Sequence, residues 1–185
     1  MKSYIVHIIK YLKLKIEMAF PLFKCRAAVD IIEVCSPYKS IFCGYYDLSP
    51  FRPNESNLLL LHCSNIKPYD SDPYSQSQKI ALYNIKSREL RELNSTSAWN
   101  WQQGARLTWL NADQIVFNDF YGDELVGRVI DLEGNNLIHG RPFYCNFGIG
   151  RYLSCDFVGL SMYSEYGYEK LRTAQGTNNL ILVDY

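Results

Sequence analysis

The feature that most restricts the fold of this chain is a sequence pattern that recurs three times after Ser40. Each copy has a short apolar step, a polar turn and a strand-like run. The copies begin at Leu48, Leu107 and Tyr144. A second run follows each copy and ends in Asn84, Asp131 or Asp184, which stand 47 and 53 residues apart. Repeats of this length with about four strands are typical of β-propeller blades.

Between the turn residues, the chain consists of short runs of β-branched, aromatic and leucine residues, which favour strands. The predicted strands are Leu58–His62, Lys79–Ile85, Leu107–Leu110, Gln114–Asn118, Leu125–Leu132, Asn136–Ile138, Arg151–Phe157 and Asn179–Asp184. The sequence therefore predicts an all-β fold, in which residues 41–185 form about two to three four-stranded antiparallel blades of a partial β-propeller. Because a closed propeller needs more blades, we expect a truncated reading frame, or a partner chain that completes the ring.

Residues 1–40 have a different character and form a predicted basic amphipathic helix followed by a connector. Apolar residues recur at helical spacing up to Phe20, and Pro21 ends the pattern. Residues 1–26 hold six basic residues against Glu17, whereas the remainder holds 13 basic and 18 acidic residues. The alternation in Leu12–Met18 also fits a strand. A basic helix here predicts either docking on the domain or peripheral contact with an anionic membrane surface through residues 1–20.

Composition excludes several functional classes. The formal net charge is zero, so there is no basic excess that would indicate a nucleic-acid partner. The six cysteines form no C-x-x-C pair, and no histidine is spaced for zinc, so neither a metal site nor a cofactor is expected. Lysines interrupt the apolar N-terminus, which is unlike a signal peptide. Free thiols in the cytoplasm are therefore predicted, and a location peripheral to the inner face of the membrane is the alternative.

The strongest candidate for ligand binding is the segment Trp99, Asn100, Trp101, Gln102 and Gln103. Indole faces stack on the apolar faces of sugar rings, and amides both donate to and accept from hydroxyls, so the mixture suits a carbohydrate. The alternative is that the two tryptophans point to one side of a strand and pack between blades.

Two further segments carry candidate ligand-binding residues. Tyr45, Tyr46 and Asp47 occupy an equivalent place before the first repeat, and Asp47 could instead bond to backbone amides of a turn. Asn118 and Asp119 open an acidic hairpin that could bind a cation, although acidic hairpin tips are usually only solvated. The histidines do not cluster and no nucleophile motif occurs, so catalytic residues stay unassigned.

Two stretches resemble segments of bacterial β-propellers of the TolB-like and oligogalacturonate-lyase-like kind, which are associated with polysaccharide gene clusters. These are Gly44-Tyr-Tyr-Asp47-Leu-Ser-Pro50-Phe and Ala98-Trp-Asn-Trp-Gln-Gln-Gly104 followed by Leu107-Thr-Trp-Leu. The resemblance covers about residues 40–185 and implies a propeller, of which this chain looks like an N-terminal part. Oligogalacturonate lyases use a metal held by histidines, and none of those ligands can be matched here, so lyase activity is not implied.

From the residues and the resemblance, we expect a carbohydrate-associated propeller with a binding role in polysaccharide biosynthesis or processing, and an oligosaccharide or glycan as its partner. One alternative is an oligosaccharide lyase or hydrolase, which would need histidines or carboxylates that converge on the propeller axis. Another is a protein-interaction scaffold, since propellers often present loops to other proteins.

Overall fold

The structure is a computed structural model that describes residues 32–67, 76–147, 150–155 and 180–184. Within these ranges the chain is all-β and contains no helix. The predicted helix at residues 1–20 lies outside the described residues. None of the described residues belongs to a helix long and apolar enough to cross a membrane.

The described strands lie in three antiparallel sheets that follow one another along the chain. The first sheet contains β1 (Ser40–Phe42), β2 (Phe51–Arg52), β3 (Glu55–Ser64), β4 (Gln78–Asn84) and β5 (Glu89–Thr96). The second contains β6 (Thr108–Trp109), β7 (Gln114–Tyr121), β8 (Glu124–Asp131) and β9 (Asn136–Gly140). The third contains β10 (Cys145–Asn146), β11 (Arg151–Cys155) and β12 (Leu180–Asp184).

The first strand of the first sheet is interrupted by a loop. β1 pairs with the last residues of β3, and β2 pairs with its beginning, both on the edge of β3 opposite β4. The Pro50 carbonyl accepts a hydrogen bond from the Leu60 amide at 2.9 Å, which returns the chain to that edge. Residues 43–49 therefore project from the edge strand as a loop.

The hydrophobic core lies between successive sheets. Alternate residues of each strand point to opposite faces of a sheet, so a strand covered on both sides is apolar throughout. In β7, Ile115 and Phe117 pack with Leu60 and Ile80 of the first sheet. Val116, on the opposite face, packs in the cluster that contains Tyr152 of the third sheet. The second sheet is thus packed between the other two.

All eight strands predicted from the sequence are present, with ends that differ by a few residues where both ends are described; the predicted ends at Phe157 and Asn179 lie outside the described residues. The sequence reasoning missed β1, β2, β5 and β10. Three of these have only two or three residues, too short for any periodic pattern to appear. β5 carries alternating charges such as Glu89 and Arg91 because it is the exposed edge of its sheet, where charged side chains are common.

The three turn residues of the sequence pattern occupy matching positions in the sheets. Asn84, Asp131 and Asp184 are the last residues of β4, β8 and β12, which are the third strands of their sheets. The Asn84 side chain accepts from the amides of Lys86 and Ser87 in the following turn. Asp131 caps the equivalent turn in the same way. Side chains of this kind end a strand by bonding to the next backbone amides.

Candidate ligand-binding site

Segments beside the first strands of the three sheets meet at the side chain of Arg106. The Asn118 amide donates to the Ala105 carbonyl at 2.7 Å, and Thr108 pairs with Val116. Between these pairs, Arg106 and Leu107 on one strand lie opposite the single residue Phe117 on the other. This is a β-bulge, and Arg106 takes a positive φ of 56° in it. The bulge redirects the guanidinium away from the strand ladder. The side chain reaches both neighbouring sheets, although it is only 2% exposed.

The guanidinium of Arg106 is held by groups from two other sheets. Its terminal nitrogens donate to the two carboxylate oxygens of Asp47, at 3.1 and 2.9 Å. Its Nε donates to the Tyr144 carbonyl at 2.9 Å, and its carbon lies 5.0 Å from the centre of the Tyr144 ring. A two-pronged arginine–carboxylate contact fixes both distance and orientation. Arg106 therefore connects the loop of the first sheet to the start of the third sheet. We call Arg106, Asp47 and Tyr144 together the clasp.

The projecting loop presents two tyrosines beside this clasp. The Leu48 amide donates to the Tyr45 carbonyl at 3.3 Å and closes the turn. The rings of Tyr45 and Tyr46 lie 4.2 Å apart between centres, and Tyr46 is 87% exposed. Tyr46 is thus highly exposed, although the neighbouring residue Asp47 is held by the buried Arg106. The loop thus offers a fixed aromatic surface to solvent.

The Trp99–Gln103 segment forms a tight loop next to the tyrosines. The Asn100 side-chain oxygen accepts from the amides of Gln102 at 3.0 Å and Gln103 at 2.6 Å, and the Asn100 and Gly104 backbones bond to each other. Gln103 and Asn100 are buried, whereas Gln102 is exposed. A side-chain carbon on Gly44 would lie 2.9 Å from the Gln103 carbonyl. The two predicted loops are therefore in direct contact.

The tryptophans of the segment line its inner side. Trp99 is buried and its Nε1 donates to the Gln76 carbonyl at 2.8 Å. Trp101 is partly exposed and meets Trp99 edge to face, with 5.0 Å between ring centres. Phe42 lies 5.3 Å from Trp101 and stacks on His62 at 5.0 Å. Trp99 is therefore part of the core, and Trp101 is the indole at the boundary with solvent.

His62 packs against the backbone that follows this loop. Its Nε2 accepts from the Ala105 amide at 3.4 Å, and Gly104 packs so closely that an added side-chain carbon would lie 2.2 Å from that nitrogen. Burial lowers the pKa of His62 to about 3, because the charged form would lose its hydration. The imidazole is neutral at physiological pH. Its role at this position is to accept from the loop backbone.

Asn118 and Asp119 lie on β7 and are not part of the two exposed loops. The Asn118 amide donates to and accepts from the Phe143 backbone, at 3.0 and 2.7 Å. Asp119 accepts from Arg128 at 2.6 Å and from the Ser97 amide at 2.9 Å. Both side chains are buried and connect neighbouring strands. The hairpin that follows them is exposed at Tyr121.

The structure thus joins eight of the ten predicted residues in two touching loops, with Tyr45, Tyr46, Asp47, Trp101 and Gln102 wholly or partly exposed. Sequence reasoning missed Arg106, His62 and Phe42. One signal for Arg106 was available: it is the lone charge in the apolar run from Ala105 to Leu110. Such a charge in a buried run needs a partner, and Asp47 is that partner.

Metal binding and thiol chemistry find little support at this site. Within the described ranges, no three His, Cys, Asp or Glu side chains gather where they could hold a metal ion. The cysteines described, which are Cys35, Cys43, Cys63, Cys145 and Cys155, are free thiols. Burial raises the pKa of Cys145, although nearby Arg106 opposes this effect. The thiol beside the clasp is therefore not activated as a nucleophile.

No protein-family model, curated protein or solved structure that we compared with the chain matches it.

Proposed function

We propose that this protein is a carbohydrate-associated β-propeller, or part of one, and that its exposed loops bind an oligosaccharide or glycan. The observation that carries the proposal is the contact between the two aromatic loops, which Arg106 and Asp47 lock together beneath the exposed Tyr46. The function proposed is binding, with the sugar held on the outer surface of these loops.

The propeller part of the proposal is supported by the way the sheets are arranged. They pack face to face in chain order. The guanidinium of Arg106, just before the first strand of the second sheet, contacts the loop that interrupts the first strand of the first sheet and the residue before the first strand of the third. In a propeller, the first strand of each blade lies nearest the axis. Contact of a single side chain with segments beside the first strands is what such a radial arrangement would produce.

The carbohydrate part is supported by the chemistry of the exposed groups. Tyr46 offers a ring face and a hydroxyl, and Gln102 offers an amide that both donates and accepts. Sugar rings need both, since one face is apolar and the edge carries hydroxyls. The cellular role proposed is polysaccharide biosynthesis or processing in the cytoplasm, and it rests on the resemblance of residues 40–185 to propellers from polysaccharide gene clusters.

The contacts around Asp47 favour binding over catalysis. Both of its carboxylate oxygens accept from Arg106, so the carboxylate is committed to holding the loop. A glycosidase would need a second carboxyl group placed across a glycosidic bond from the first. Asp119 is buried in its own ion pair with Arg128. Neither carboxylate is therefore available for acid–base work in this arrangement.

The test is glycan binding by the Tyr46→Ala variant, with Tyr121→Ala as its matched control. Both side chains are exposed, at 87% and 71%, but Tyr121 lies on the hairpin between β7 and β8. On a glycan array followed by calorimetry, Tyr46→Ala should weaken binding by about 1 kcal/mol, or about fivefold in Kd. Tyr121→Ala should leave binding unchanged. Equal losses in both variants, or no glycan bound by the wild type, would contradict the proposal.

A further inference from the structure

Three buried N–H groups around the Trp99–Gln103 loop have no acceptor among the described residues. They are Nδ1 of His62, Nδ2 of Asn100 and Nε1 of Trp101. Each can only donate here. The His62 Nε2 accepts from Ala105, which puts the ring hydrogen on Nδ1, and the Asn100 oxygen already accepts two backbone amides. This region therefore has a surplus of donors.

The surplus is specific to this loop. The other two tryptophans bond their indole N–H to backbone carbonyls, Trp99 to Gln76 and Trp109 to Pro50, both at 2.8 Å. Buried polar groups are normally satisfied because each orphan destabilises the fold. Gln78 and Tyr83, which also have buried polar atoms without a partner, each carry both a donor and an acceptor and so do not share the imbalance. The excess at the loop indicates a missing acceptor.

The three side chains belong to one group. Phe42 contacts the rings of both His62 and Trp101, with 5.0 and 5.3 Å between centres. Gly104 packs on His62 and bonds through its backbone to Asn100. Trp101 is the partly exposed member and stands next to the exposed Gln102. The Trp101 side chain is therefore the member of the group that is most exposed to solvent, although its indole N–H is buried.

We propose that this donor cluster is a subsite for the carbonyl oxygen of an acetamido group, so that the ligand of the proposed binding site carries an N-acetylated sugar. The inference rests on the proposed function and deepens it. A carbonyl oxygen has two lone pairs and no hydrogen to donate, so it can accept from two of these donors without adding another. The acetamido methyl would pack on the Trp101 and Phe42 rings.

Electrostatics favours a neutral carbonyl over a carboxylate. Burying an ionised carboxylate is strongly unfavourable unless a cation accompanies it. Arg106, the buried cation of this region, is already neutralised by Asp47. The imidazole of His62 is neutral as well, because burial lowers its pKa. Neutral donors can satisfy an amide carbonyl without leaving a buried charge uncompensated.

The test is a titration of the ¹⁵N-labelled chain with three monosaccharides that differ in one group: N-acetylglucosamine, glucose and glucuronate. The spectrum reports the Trp101 indole N–H and the Tyr46 backbone amide together. The indole N–H groups of Trp99 and Trp109 are internal controls, since both already have acceptors. N-acetylglucosamine should shift the Trp101 indole signal downfield, and glucose and glucuronate should not. Trp101→Phe, which keeps a ring and removes the N–H, should weaken N-acetylglucosamine binding about threefold to tenfold.

The outcomes separate the two proposals. If glucose and N-acetylglucosamine shift the Tyr46 amide equally and leave the Trp101 indole unmoved, the subsite is wrong and the carbohydrate site stands. A shift of the Trp101 indole by glucuronate alone would overturn the choice of a neutral carbonyl. If no sugar moves any signal while the spectrum is that of a folded protein, both proposals fail. Unchanged affinity in Trp101→Phe would also overturn the subsite.

Discussion

Replacing Asp47 by Asn tests the clasp at the centre of the structure. The change keeps the shape of the side chain and removes the charge that faces Arg106. Removing one partner of a buried ion pair costs about 3–5 kcal/mol, whereas exposed pairs contribute about 0–1 kcal/mol. Here Arg106 is 2% exposed and the Asp47 side chain is 39% exposed, so the pair lies between these cases. We expect a loss of about 2 kcal/mol in the free energy of unfolding.

The assay is urea unfolding followed by tryptophan fluorescence, with Asp184→Asn as the control. Asp184 pairs with Arg151, and the two side chains are 80% and 54% exposed, so the same substitution should cost less than about 0.5 kcal/mol. In an Arg106→Gln background, Asp47→Asn should cost almost nothing, because no buried charge remains to be neutralised. A loss for Asp47→Asn no larger than that for Asp184→Asn would refute the role given to the clasp.

Two further predictions concern the support beneath the loops. Gly104→Ala should destabilise the fold more than Gly122→Ala. Both glycines have φ near +60°, so the backbone strain is similar, but only Gly104 packs against His62. The urea midpoint of Gly104→Ala should therefore be the lower one, and equal midpoints would contradict the packing. Because the pKa of His62 is about 3 in the fold and about 6.5 when unfolded, stability should fall as pH drops from about 6.5 towards 3, by up to about 1.4 kcal/mol per unit. His62→Phe, which retains His7 and His139, should flatten that pH dependence; an unchanged profile would mean that His62 does not cause it.

The fold was predictable to the extent that the sequence pattern is local. Strands such as Gln114–Tyr121 can be predicted from their β-branched and aromatic residues, and turn residues such as Asp131 indicate where strands end. β2 and β10 could not be found, because two residues carry no periodicity. Their positions are set by pairing with β3 and β11, which no local pattern encodes.

The residue types of the candidate site could be predicted from the sequence, but the contacts between them could not. Aromatic and amide residues at Tyr46 and Gln102 could be chosen from their chemistry, and they are exposed. The part that the Asn100 oxygen plays could not be predicted from chemistry alone, because that oxygen closes its own loop. The ion pair between Asp47 and Arg106 joins residues that are far apart in the chain. Such a pair is visible only once the sheets are in place.

The clasp also has a consequence for affinity. A loop that is mobile before binding loses conformational entropy when a ligand orders it, at about 1–2 kcal/mol for each residue fixed. Arg106 holds Asp47 by two hydrogen bonds, and Asp47 is the direct neighbour of Tyr46. The ring that would meet a sugar is therefore held in place before the ligand arrives, and this lowers the cost of binding. It follows that the affinity of the proposed site depends on Arg106, a buried residue that the ligand itself need not touch.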